Sequence, residues 1–157
     1  MTQAKTKGKI GHGHFTIERF YDASPARVFK ALSDPAIKAK WFVGPEGWVE
    51  VARAVDFRIG GDEVLLGRFP SGFETRFDAR YYEIIEDERI AYSYDMHLSG
   101  RHHSLSVATI ELFAEGSGTN FLFTEQVAFF DGTDAEQGTA SRKHGTNSHF
   151  DRVASCL

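Results

Sequence analysis

Two helix starts set directly behind a strand constrain this chain most. From Phe15 to Phe42 it runs F-T-I-E-R-F-Y-D-A-S-P-A-R-V-F-K-A-L-S-D-P-A-I-K-A-K-W-F. Phe15, Ile17, Arg19 and Tyr21 alternate with Thr16, Glu18, Phe20 and Asp22, the two-residue period of a strand, although Phe20 breaks the polar side. Ser24-Pro25 then reads as a helix start: a side-chain oxygen caps free N–H groups, and a proline has no N–H to leave unpaired. Val28, Phe29 and Leu32 give that helix an apolar side, and Asp34-Pro35 repeats the device for a second short helix ending near Trp41 and Phe42.

Strand-like pattern dominates the chain from Trp48 to Phe130. Trp48–Ile59 and Asp62–Phe69 read as strands joined at Gly60-Gly61, which supplies the positive φ angles of a tight turn. In the strand Phe73–Glu86, Phe73, Thr75, Phe77, Ala79 and Tyr81 share one face and Glu74, Arg76, Asp78 and Arg80 the other. After Tyr81 the apolar phase slips to Tyr82 and Ile84, which predicts a bulge. Ile90–Leu98, Leu105–Phe113 and Thr119–Phe130 are three further strands, with turns at 99–103 and 115–118.

From Asp131 the pattern changes. Asp131, Asp134 and Glu136 precede Arg142, Lys143 and Arg152, the order that suits a helix dipole. Phe150, Val153, Ala154 and Leu157 fall on one helical face, whereas residues 134–140 carry little apolar periodicity. The order predicts an α+β fold in which a curved antiparallel sheet of six to seven strands exposes an apolar concave face. The terminal helix is the one long element able to cover it.

Composition narrows the function classes. The chain has 157 residues, a length that suits one domain, with residues 1–13 as a loosely held polar arm and 14–157 as the domain. Lys5, Lys7 and Lys9 make the arm basic, leaving 15 basic against 22 acidic residues, or −7, in the remainder. An acidic body gains little from counterion release, which argues against nucleic acid. The single Cys156 forms no disulfide within the chain and suits a reducing compartment, and no apolar run is long enough to span a membrane, so the expected location is cytoplasmic. Fourteen Phe against two Met suggest a core or cavity wall built from rings.

The order of elements and four stretches resemble the START-like, helix-grip superfamily known as SRPBCC, and within it the homologues of the activator of heat-shock protein 90 ATPase. The first stretch is the opening, with Trp41-Phe42. The second is Asp56-Phe57-Arg58-Ile59-Gly60-Gly61, and the third is Tyr81-Tyr82-Glu83-Ile84-Ile85 with Glu88-Arg89-Ile90. The fourth runs from Gly118-Thr119 through Phe123-Thr124-Glu125-Gln126 and Asp131-Gly132 to His144-Gly145-Thr146 and Phe150-Asp151-Arg152-Val153. Many members carry Gly-Trp at the start of the final helix where this chain has Gly145-Thr146. The resemblance implies a helix-grip fold and a cavity for a hydrophobic small molecule, and a few superfamily members are cyclases or hydrolases. The chaperone activators join this domain to a separate N-terminal one, which this sequence lacks.

The aromatic residues supply the first candidate site. Trp41, Phe57, Phe73, Phe77, Tyr81, Tyr92, Tyr94, Phe121, Phe123 and Phe150 are the expected ligand-binding wall between sheet and helix, the tyrosines adding hydroxyls. The alternative is that they pack tightly and are merely core. Glu125 alternates with Phe121, Phe123, Val127 and Phe129, which turns it toward the cavity, near its rim, with Arg19 as a partner. It is the candidate acid or base if the cavity is catalytic. Arg58–Val64 looks like a diguanylate cyclase signature, but the upstream segment of those enzymes is missing and a hairpin turn accounts for it. The seven histidines lack zinc-site spacing, so no metal and no cofactor is expected. Three readings remain: a binder of a hydrophobic or amphipathic small molecule, an enzyme using the same cavity, or a protein-interaction module with a chaperone partner. A homodimer is left open.

Overall fold

The computed structural model describes residues 9–157. Its elements in chain order are β1 (Gly11–Tyr21), α1 (Pro25–Ser33), α2 (Pro35–Trp41), β2 (Val49–Val55), β3 (Asp62–Arg68), β4 (Glu74–Ile85), β5 (Arg89–Leu98), β6 (Arg101–Glu115), β7 (Gly118–Phe129) and α3 (Ala135–Ala154). The seven strands form one curved antiparallel sheet in the order β1-β7-β6-β5-β4-β3-β2. Consecutive strands β2 to β7 pair as a meander, and β1 closes on β7.

The proline-led helix starts form as the sequence predicts. Ser24 Oγ accepts from Arg27 N, and Asp34 Oδ1 accepts from Ala36 N and Ile37 N. Asp34 serves twice, because its own N–H also donates to Lys30 O and closes α1. Trp41 Nε1 donates to Ala31 O at 2.8 Å and locks the two helices together. The bulge after Tyr81 is present as a register shift between Tyr81 and Glu83. Strand β4 begins at Glu74, one residue after the expected Phe73.

Other boundaries differ from the sequence reading: β2 ends at Val55, four residues before the expected Ile59. β1 starts at Gly11, so residues 11–13 belong to the sheet; residues 1–8 of the expected arm lie outside the described residues. β6 starts at Arg101, because Ser99 and Gly100, both at positive φ, make the whole turn; His102 and His103 are strand residues. Gly145-Thr146 falls well inside α3, not at its start.

The first residues of β1 pair with the end of β7 and lie against α3. A Cβ at Gly13 would collide with Thr139 Oγ1, so glycine there lets the first half of α3 lie directly on the strand. The second half of α3 seals the core: Phe150 packs on Phe121 at 4.7 Å and Phe123 at 5.2 Å between ring centroids. Val153 is also fully buried, but Ala154, expected on the same face, is exposed. Burial of each such side chain contributes roughly 1.5–3 kcal/mol. Tyr21 adds a hydrogen bond from its hydroxyl to Phe150 O at 2.8 Å.

Candidate functional site

The concave face of the sheet is built by strict alternation. Glu125 on β7 stands beside Ala108 on β6, Ala108 beside Tyr92 on β5, and Tyr92 beside Tyr81 on β4. The neighbouring row runs Val127, Ser106, Tyr94, Ala79, Glu63. α3 faces these rows with Gly138, Ser141, Arg142, Gly145 and His149, mostly small or polar residues at helical spacing. A Cβ at Gly145 would meet nothing within 4 Å. The weak apolar pattern early in α3 thus has a physical counterpart: the helix does not fill the space below it, and a cavity of about 610 Å³ remains.

Eight of the ten expected wall residues line this cavity: Trp41, Phe57, Phe77, Tyr81, Tyr92, Tyr94, Phe123 and Phe150. Two do not. Phe121 is 1% exposed and wedged between Tyr21 and Phe150, so it belongs to the packed core. Phe73 precedes β4 in the turn, is 41% exposed and touches Phe69 instead. Phe42, Trp48, Met96 and Leu98 complete much of the apolar wall.

Glu125 is 0% exposed, deep in the fold and not at a rim. Its Oε2 accepts from Ser106 Oγ at 2.6 Å, Tyr94 Oη at 2.7 Å and Arg142 Nη1 at 3.0 Å. Arg142 Nη2 donates to Ser104 Oγ at 2.7 Å. Arg19, the expected partner, turns to the end of α3, where it pairs with Asp151 at 2.7 Å and donates to Asn147. The strand register puts Arg19 opposite Phe121, well along β1 and β7 from Glu125. The true partner comes from the helix, 17 residues away in sequence.

A second buried ion pair borders the cavity from the other side. Lys38 on α2 meets Glu63 on β3 at 2.7 Å and donates to Tyr81 Oη at 3.2 Å. Tyr81 Oη donates to the same Glu63 oxygen. Glu63 lies just past the Gly60-Gly61 turn, where Gly60 has φ 82°, and it is buried although the sequence reading treated the segment as a hairpin only. Burial pushes the Tyr81 hydroxyl far above its ordinary range, and the charge of Glu63 pushes it further. Burial does the same to Tyr92, aided by Tyr94 and Glu125, and to Tyr94, aided by Glu125. All three remain neutral hydroxyls at any working pH.

The end of α2 is tied to α3. Arg152 donates to Trp41 O and Val43 O, and His149 Nε2 donates to Val43 O at 3.1 Å. Burial and the neighbouring Arg152 charge lower the His149 imidazole to about 4, so it is neutral at pH 7. It stacks edge-on against Phe42 at 5.2 Å and forms part of the cavity lining. Among the described residues, no three His, Cys, Asp or Glu side chains group in a way that could hold a metal ion, and no helix is long and apolar enough to cross a membrane.

Sequence reasoning missed Lys38, Glu63, Ser104, Ser106, Arg142 and His149. Strand alternation carried part of the signal, since Glu63 alternates with Leu65, and Ser104 and Ser106 with Ala108 and Ile110. Arg142 lies eight residues before Phe150, close to the same helical face.

A seven-stranded antiparallel sheet gripped by a long C-terminal helix, with a cavity between them, is the helix-grip architecture. Residues 22–157 match the family described as activator of Hsp90 ATPase homolog 1-like protein, and the chain belongs to that family. Among solved structures it is similar to the Mll3558 protein from Rhizobium loti, with 40% identity over 95% of this chain and 99% of that one and a TM-score of 0.85. It is also similar to a putative uncharacterized protein from Rhizobium leguminosarum, with 35% identity over 94% and 95% of the two chains and a TM-score of 0.87. No curated protein matches.

Proposed function

We propose that this chain binds a small hydrophobic or amphipathic molecule in the cavity between its sheet and α3. The observation that carries this reading is the 610 Å³ space itself, bordered by Ser141 and Gly145 of α3 over a wall of aromatic rings. A cavity of that volume falls within the range of ordinary ligand pockets. A protein-interaction module would need neither the space nor two ion pairs along its walls, so a chaperone partner is the weaker reading.

Thermal unfolding against a panel of lipids, aromatic metabolites and polyketide-like compounds tests it. A ligand at a hundred times its Kd stabilises by about 2.7 kcal/mol, a rise of several degrees for a domain of this size. A reproducible shift with one chemical class supports the reading, and an unresponsive protein overturns it. Recovery of the bound compound unchanged keeps the protein a binder. Recovery in altered form makes it an enzyme acting in the same cavity, with Glu125 as the acid or base to substitute first.

A further inference from the structure

We infer that Tyr92 is the residue by which the cavity recognises its ligand, a neutral, largely apolar molecule carrying a carbonyl or similar hydrogen-bond acceptor. The inference deepens the proposed binding function and rests on it. Its basis is a difference among three neighbouring tyrosines. Tyr81 and Tyr94 are 3% and 7% exposed, and their hydroxyls donate to Glu63 and Glu125. Tyr92 lies between them, with ring centroids at 5.9 and 6.0 Å, and is only half-buried. Among the described residues its hydroxyl is not tied up by another side chain, and it stays within reach of a water-sized molecule. β5 is the central strand of the seven and Tyr92 lines the cavity, so that reachable surface opens into the cavity.

The Tyr92 hydroxyl is set to donate. A phenol oxygen shares a lone pair with its ring, which makes the group a better donor than acceptor. An occupant that displaces water from this hydroxyl must replace the hydrogen bond or bind more weakly. The charged groups nearby offer no such contact to an anion. Lys38 is paired with Glu63, and Nη1 and Nη2 of Arg142 are engaged by Glu125, Tyr94, Ser106 and Ser104. A ligand carboxylate would enter a largely apolar space with both cations already paired. Ser141 and Gln137 of α3 also border the cavity with polar groups, but both are exposed, and solvent serves them whether the cavity is filled or not. Tyr92 is instead held between two rings, so its donor is in place before a ligand arrives.

Probes of one shape test the contact: 2-acetylnaphthalene, 2-isopropenylnaphthalene, in which a methylene group replaces the carbonyl oxygen, and the anion 2-naphthoate. Each is titrated calorimetrically at pH 7 into the parent and into Tyr92→Phe. The substitution should weaken the ketone about fivefold, the scale of one hydrogen bond between neutral groups. It should change the alkene by less than about twofold. The carbonyl stretch of the bound ketone should lie at lower frequency in the parent than in Tyr92→Phe, a signature that a purely structural role would not produce. Without ligand the two proteins should melt together, because the hydroxyl holds no other side chain. Equal losses for ketone and alkene, or a ketone affinity and carbonyl frequency that ignore the substitution, overturn this inference alone and leave the cavity reading standing. Tightest binding of 2-naphthoate overturns it in favour of a cation as the recognising group. If Tyr92→Phe melts well below the parent or fails to fold, the hydroxyl is structural and the inference falls. Binding of none of the three overturns it too and, together with an unresponsive panel, removes the cavity reading itself.

Discussion

Lys38 Nζ on α2 lies 2.7 Å from Glu63 Oε1 on β3, with 13% and 1% of the two side chains exposed. The pair joins the helical layer to the far half of the sheet, and Tyr81 shares the same carboxylate oxygen. With the Arg142–Glu125 pair it makes two buried ion pairs beside the cavity.

Removing one member of such a buried pair strands the other. Lys38→Met should destabilise the fold by about 3–5 kcal/mol. The double change Lys38→Met with Glu63→Leu should restore most of that loss. Urea unfolding at pH 7 measures both, and a single-variant cost below about 1 kcal/mol would contradict a desolvated pair.

Filling the cavity from the helix should separate stability from binding. Gly145→Leu adds a side chain into open space and replaces a helical glycine, worth about 1 kcal/mol of helix propensity. The melting temperature should hold or rise, while any ligand-induced shift disappears. Retained ligand stabilisation in this variant would locate binding elsewhere.

Acid should weaken the clamp between α2 and α3. His149 protonates near 4 in the folded chain against 6.5 in the unfolded one. Above pH 6.5 both states are neutral and there is no penalty. Between about pH 6.5 and 4 the unfolded chain takes up the proton first, so stability falls by as much as about 1.4 kcal/mol per pH unit. His149→Gln, which keeps a donor for Val43 O, should flatten that slope. Parallel pH profiles for the two proteins would show that His149 is not the group responsible.

Asp131 acts in the opposite sense and at lower pH. Burial pushes its carboxyl up, but hydrogen bonds from Thr133, His103 and Arg101 outweigh burial and hold it well below the usual carboxylate range. Its stabilisation is present above about pH 4, the ordinary unfolded value, and is lost as pH falls toward the folded one. Asp131→Asn should be less stable than the parent at pH 7, with the difference narrowing progressively as pH falls below about 4. A constant difference across that range would refute the linkage.

Much of the fold could be read because the signals were local. Ser24-Pro25 and Asp34-Pro35 needed only their own neighbours to start helices. The slip after Tyr81 showed as a break in alternation and is a bulge in the sheet. Phe121 and Phe123 were indistinguishable in sequence, since both face inward on β7. Phe150 packs on both; Phe121 is also covered by Tyr21, whereas Phe123, equally buried, borders the cavity. Phe73 kept the parity of its strand yet lies outside it, because parity does not state where pairing ends.

The sequence by itself determined the order of elements, the inward faces of β1 and β4 and the inward turn of Glu125 on β7. Each of those depends on residues within a few positions of one another, where backbone geometry imposes the period. Tertiary structure alone decided which charges meet. Arg19 and Arg142 were equally available to Glu125 in sequence, and the seating of α3 on β1 gave one to Asp151 and the other to Glu125. The same seating decided that a partly open space remains over the concave face, because such a space depends on the distance between two surfaces brought together from distant parts of the chain.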